Sequence, residues 1–287
     1  MTGTLLSFGH GYSAQALGRQ LITQGWRVIG TTRSPGKADA LATQGVEPLV
    51  WPGTDIAPAI SASDHLLVSA APGPGGDPVL AAAGEAIGAA AGRIRWLGYL
   101  STTAVYGDRQ GAWVDEDTPP APTTPRGAAR LEAERAWQAL AERTGLPLHI
   151  FRLAGIYGPG RGPFEKLREG RAERIVKPGQ VFGRIHVEDI ASVLLASIAR
   201  PNPGAVYNVC DDDPAPPEDV IAHAAHLLGL PVPPAVPFEE AALSPMARSF
   251  YAECKRVRND RLQSELGVRL SYPDYRSGLA AVLAAEG

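Results

Sequence analysis

The segment LLSFGHGYSAQALG sets Gly9-x-Gly11-x-x-Ala14 between a short apolar run and a helix-like stretch, where backbone alone can bind a phosphate. Gly9 permits a tight turn, Gly11 lets the main chain approach a pyrophosphate, and Ala14 is small enough for the next helix to pack on a sheet. The amino end of that helix, with Tyr12 and Ser13 in its first turn, then faces the phosphates. A dinucleotide is the ligand this context predicts. The second strand, in RVIGTTRS, decides which one: a free ribose 2′-hydroxyl needs a carboxylate about 20 residues past the glycines, and a 2′-phosphate needs Arg. Thr31, Thr32 and Arg33 occupy that place, with no carboxylate directly after them. A guanidinium flanked by hydroxyls suits a phosphate dianion, so NADP(H) is expected over NAD(H). Ala70 and Ala71, beyond a later strand, are expected along the same nucleotide.

A second group of residues lies in TTPRGAARLEAE, residues 123 to 134, which opens a helix with Arg126 and Arg130 on one face. Like charges at that spacing weaken an exposed helix by about 0.2–0.5 kcal/mol, so the pair is either solvated and indifferent or has an anion between its members. Thr124 as N-cap, Pro125 at the first helical position and Glu132 and Glu134 soon after mark the start. Ala133, Ala136, Trp137 and Leu140 recur at helical spacing and should face protein, leaving the arginines on a cleft edge.

The elements that must hold these residues follow from the hydrophobic rhythm. Apolar runs at 5–8, 28–29, 65–68, 96–100 and 148–151 alternate with helix-like stretches near 13–24, 36–44, 78–91 and 125–143. This predicts an α/β fold, a Rossmann-type doubly wound parallel sheet covered on both faces. After Leu153 glycine and proline become dense, in GIYGPGRGP, DDDPAPPED and GLPVPPAVPFEEAALSP. The reading is a dinucleotide-binding domain over 1–153, with about 184–210 returning to it, and a small C-terminal substrate lobe over most of 154–287. The Ala-rich stretch 81–91 reads as a closely packed helix.

Composition narrows the function. Hydrophobic residues make up 45% of the 287 and charged residues 20%, enough apolar material for a sizeable core. The net charge of -3, with no Lys/Arg run, gives no attraction to nucleic acid or to an anionic membrane. Cys210 and Cys254 are far apart and outside any CxxC spacing, so no disulfide framework or thiolate metal site is expected, and a reducing cytoplasm fits. Neither an export signal nor a spanning segment is expected. His223 and His226 lack a third ligand at metal spacing, Asp211 to Asp213 reads as a turn, and no metal is expected. With no G-x-S-x-G and neither Cys in a recognisable nucleophile context, hydrolase readings have little support. His186 should head a helix beginning near Glu188 or Asp189, a structural role.

Six further stretches carry a resemblance: LSTTAVYGD (100–108), PRGAARLEAE (125–134), FRLAGIYGPG (151–160), GRIHVEDIA (183–191), YNVCDDDP (207–214) and VRNDRLQSELG (257–267). Together they resemble the extended short-chain dehydrogenase/reductase family, in its NAD(P)-dependent epimerase/dehydratase branch, over nearly the whole chain. The resemblance implies a Rossmann domain with a small substrate lobe and a Ser/Thr, Tyr, Lys trio at the nicotinamide. It aligns Thr102 with the hydroxyl that hydrogen-bonds the substrate oxygen. With Ala133-Glu134 fixing the register, the family's Y-x-x-x-K falls on Arg126 and Arg130. A guanidinium, with an ordinary pKa above 12, cannot act as base for alcohol oxidation, but it can stabilise a developing alkoxide in the reductive direction. Arg130 could still donate to nicotinamide-ribose hydroxyls, as the family Lys would. Tyr106 and Tyr157 both follow strands whose carboxyl ends line the expected crevice, so either is a candidate substitute acid, Tyr106 ranked first, although a packing or substrate-lining role is the commoner one for both. Two functions fit. One is an NADP(H)-dependent oxidoreductase or epimerase-like enzyme acting on a small polar carbonyl or sugar-type substrate, including an anionic one gripped by Arg126. The other is a catalytically silent NADP(H)-binding sensor. The family also often pairs this helix and the preceding one across a two-fold axis, which implies a homodimer.

Overall fold

A computed structural model describes residues 2–286. Its first part alternates β1 (Thr4–Phe8), α1 (Tyr12–Thr23), β2 (Arg27–Thr32), α2 (Pro35–Ala42), β3 (Glu47–Val50), α3 (Ala57–Ala62), β4 (His65–Val68), α4 (Pro78–Ala89) and β5 (Trp96–Thr102). A 3-10 turn (Thr103–Tyr106), β6 (Trp113–Val114), α5 (Pro125–Thr144) and β7 (Leu148–Leu153) follow. Then come β8 (Gly155–Tyr157), α6 (Phe164–Arg168), β9 (Arg174–Val176), β10 (Arg184–His186), α7 (Val187–Ala199) and β11 (Val206–Val209). The chain ends with α8 (Pro217–Leu227), β12 (Ala235–Pro237), α9 (Pro245–Phe250), β13 (Arg256–Val257), α10 (Asp260–Ser264) and α11 (Tyr275–Ala284).

Strands such as β1 (TLLSF) and β4 (HLLV) are buried on both faces along almost their whole length, the pattern of a parallel sheet covered by helices. Seven strands pair in the order β11-β7-β5-β4-β1-β2-β3, every neighbour parallel. The order reverses between β1 and β4, so the crevice at their carboxyl ends is where a ligand can enter. On one face Leu17 and Leu21 of α1 pack with Ile190 and Leu194 of α7. On the other, Ile60, Ile87, Trp137 and Leu140 pack over Leu66, Leu97 and Ile150. A separate core joins α6, α8 and α11 through Phe164, Leu167, Ala224, Tyr275 and Leu279.

The expected strands and helices are present with ends shifted by a few residues. β3 escaped the sequence reading because its four residues are half-exposed and give no apolar run. His186 does head α7, its Nδ1 accepting the Glu188 amide at 3.3 Å. In α5, Ala133, Trp137 and Leu140 are buried as expected but Ala136 is exposed, because it lies about 60° around the helix from Ala133 at the stripe's edge. Thr124 caps α5 through the Gly127 amide, and Gly145, left-handed at φ 74°, ends it.

Candidate active site

Between β1 and α1 the glycine turn is held by strand β2. Gly9 has φ 76°, a region open to glycine at little cost, and a Cβ there would sit 3.1 Å from the Ala70 nitrogen. The Gly9 amide donates to the Thr31 hydroxyl (2.8 Å) and the His10 amide to the Thr31 carbonyl (2.9 Å). At Gly11 a Cβ would meet nothing nearer than the Gly9 carbonyl at 3.8 Å, so the space above the turn is open. No side chain caps the amino end of α1, leaving its first amides for an acceptor from outside. Ala14 is fully buried against the sheet. These features fit a pyrophosphate.

The nucleotide-facing residues divide. Thr31 is only 2% exposed and its hydroxyl oxygen accepts the Gly9 amide, so burial sets it to brace the turn from below instead of facing a 2′-phosphate as expected. Thr32, half-buried, and Arg33, exposed, stand at the rim. Ala70 lies against Gly9, and Ala71 is exposed beside it. Ser13 is buried, while Tyr12 reaches across to donate to the Pro159 carbonyl (2.9 Å). The sequence reading missed Trp51, half-buried after β3 and edge-on to Phe8 at 5.7 Å. Its amide donates to the Thr32 carbonyl (2.9 Å), which places an aromatic face at the same rim.

At the end of β5, the Thr102 hydroxyl oxygen accepts the Ala104 amide at 3.3 Å, so its proton is free to be donated elsewhere. The first turn of α5 abuts this corner so closely that a Cβ on Gly127 would lie 2.7 Å from the Ala104 carbonyl. That contact sets the turn of α5 that carries Arg126 and leads to Arg130 against the 3-10 turn that follows Thr102. Arg130 donates through Nη1 to the Leu100 carbonyl (2.9 Å) and the Tyr99 hydroxyl (3.1 Å), so one arm of its guanidinium is tied to β5. Burial pushes Tyr99 up to about 12, leaving it a neutral acceptor for that arm. Arg126 is exposed, with its guanidinium carbon 4.7 Å from the centre of the Phe250 ring.

Tyr106 is a correction. It is 0% exposed, its hydroxyl donates to Asn208 (2.8 Å) and accepts from Arg152 (3.0 Å), and burial raises its pKa. It therefore cannot reach a substrate. It belongs to a buried polar chain: Arg152 pairs with Glu134 (2.8 and 3.2 Å), and Ser101 donates to Glu134. Tyr157 is spent too, donating to the Asp274 carbonyl at 3.3 Å, with its pKa raised by burial. Asp211, read as a turn, is buried with neither carboxylate oxygen partnered. No sequence spacing links Glu134 to Arg152 or Arg126 to Phe250. Among the described residues no group of three His, Cys, Asp or Glu is placed to hold a metal, and no helix is long and apolar enough to cross a membrane.

Comparison with known proteins adds to this geometry. Residues 79–210 match the NAD dependent epimerase/dehydratase family. Protein YeeZ of Escherichia coli (strain K12) is 30% identical over 279 residues, covering 93% of this chain and 95% of YeeZ. The chain belongs to the NAD dependent epimerase/dehydratase family. A functionally unknown conserved protein from Silicibacter pomeroyi is 64% identical and superposes with a TM-score of 0.94 over 99% of both chains. A 3-diazoavenalumate denitrifying reductase from a Streptomyces species is 30% identical over 58% of each chain. Membership in the NAD dependent epimerase/dehydratase family and the glycine turn agree on a pyridine dinucleotide as ligand.

Proposed function

We propose that the protein is an NADP(H)-dependent reductase of a small polar carbonyl compound. The observation that carries this reading is at the corner of β5 and α5. There Thr102 keeps a hydroxyl proton to donate, Arg126 in the adjoining first turn of α5 donates to no oxygen among the described residues, and Tyr106, the phenol nearest in sequence, is spent on Asn208. A dinucleotide held at the Gly9–Gly11 turn and the first amides of α1 would supply hydride. Thr102 donates its proton into a hydrogen bond with the substrate carbonyl oxygen, and Arg126 stabilises the negative charge that grows there. Water then delivers the proton, so that carbonyl, NADPH and a proton give alcohol and NADP+. Oxidation would need a base, which neither arginine can be. Thr32 and Arg33 at the rim support NADP(H) over NAD(H), and Trp51 offers the adenine a flat apolar surface.

The test is NADPH consumption by the purified protein with 2-oxo acids, ketoses and nucleotide sugars. Turnover with one class, lowered about 100-fold in Thr102→Ala and retained in Thr102→Ser, is expected from loss of one donor to the oxyanion. Silence across the panel, together with unequal affinities for NADPH and NADP+, would favour the sensor reading instead. The unpaired cysteines suit a reducing cytoplasm. The exposed Ala81, Ala82, Ala136 and Ala139 on the neighbouring helices α4 and α5 suit a homodimer, for sedimentation to decide.

A further inference from the structure

Arg126 stands where local physics disfavours it. A cation in the first turn of α5 opposes the helix dipole, and Arg130 one turn on repels it. Among the described residues no carboxylate pairs with it: Glu253, on the segment that lies against the start of α5, is spent on Lys255 (2.7 Å) and Thr123 (2.8 Å). Among the described residues, Arg126 donates to no oxygen and is held only by the ring of Phe250.

Phe250 is as unusual. It is 44% exposed and ends α9, a helix with no buried side chain. Such a helix gains little from burial. It is anchored through the next residue, Tyr251, whose ring packs at 5.1 Å on Phe238 and 5.3 Å on Phe182. The backbone beyond is fastened to the Rossmann part, with the Cys254 amide on Asp108 (2.8 Å) and Lys255 on the Gly107 carbonyl (2.9 Å). What α9 presents to the crevice edge is a ring under a guanidinium. A contact made through a ring restrains the side chain while leaving every N–H donor free.

We infer that Phe250 is a positioning residue that aims the Arg126 fork at a carboxylate or phosphate group on the substrate, beside the carbonyl that Thr102 engages. This rests on the reading of the crevice as a reductase site and narrows the substrate to anionic carbonyl compounds. The fork takes the anion by two parallel charge-assisted hydrogen bonds, and its charge also lies near the oxygen that becomes an alkoxide.

Calorimetry on the full chain tests this separately from the reductase reading. NADPH uptake is measured first. Malonate and inorganic phosphate are then titrated, each with NADPH present and absent, and the tighter of the two probes identifies the group recognised. Arg126→Gln should weaken the probe about 10- to 100-fold, the range for a charge-assisted pair. Phe250→Leu should weaken it about two- to fivefold, and Phe250→Tyr should restore it. With a substrate in hand, Phe250→Leu should raise KM more than it lowers kcat. Probe affinity unchanged in Arg126→Gln, or equal in Phe250→Leu and wild type, overturns the inference. A chain that takes up no NADPH yet shows the graded anion losses sinks the reductase reading and keeps the anion site.

Discussion

Thr102 and Arg33 show how much depends on where a single donor points. Thr102 spends a lone pair on the Ala104 amide and, half-buried, keeps its proton to donate. Thr31 accepts the Gly9 amide in the same way but is buried beneath the turn, so the rim is left to Thr32 and the exposed Arg33. If Arg33 meets the 2′-phosphate, Arg33→Ala should weaken NADPH about 10- to 100-fold and leave NADH unchanged, since hydrogen bonds to charged groups contribute about 1.5–3 kcal/mol each. Fluorescence titration with both nucleotides measures this directly, and equal losses for the two would move 2′-phosphate recognition elsewhere.

Helix α5 carries the arginines, and its placement comes from charges buried beneath it. Glu134, 1% exposed, pairs with Arg152 of β7 and accepts from Ser101 of β5, which ties the helix to two strands at once. Arg152 in turn donates to the Tyr106 hydroxyl, making that phenol structural. Removing one partner leaves a buried charge without compensation. Glu134→Ala is therefore expected to cost about 3–5 kcal/mol in urea unfolding, whereas joining it to Arg152→Met should return much of the loss, because both charges then leave the core. A double variant no more stable than the single one would mean the cost comes from lost packing.

At the scale of the whole molecule, the last strand of the main sheet runs into the C-terminal lobe at Asp211. Burial pushes this carboxyl up to about 8, against the pull of the Arg184 guanidinium, while an unfolded aspartate titrates near pH 3.9. Between those values the folded chain holds a proton that the unfolded chain has released, so stability falls as pH rises from about 4 to about 8 and levels off above. Asp211→Asn should flatten the melting temperature across that window; a slope like that of the wild type would assign the proton to another group. The sequence by itself determined the glycine turn, the strand and helix rhythm and the cap at Thr124, because each depends on neighbours within a few residues and on hydrophobic period. It also put Arg126 and Arg130 one turn apart on the same helix, since helical spacing is local. Only the tertiary structure decided that Tyr106 is buried on Asn208, that Glu134 meets Arg152, that Asp211 is enclosed and that Phe250 lies under Arg126. Those fates depend on which distant segment covers a side chain. Burial and partner, not residue type, then set whether a phenol, carboxylate or guanidinium can do chemistry.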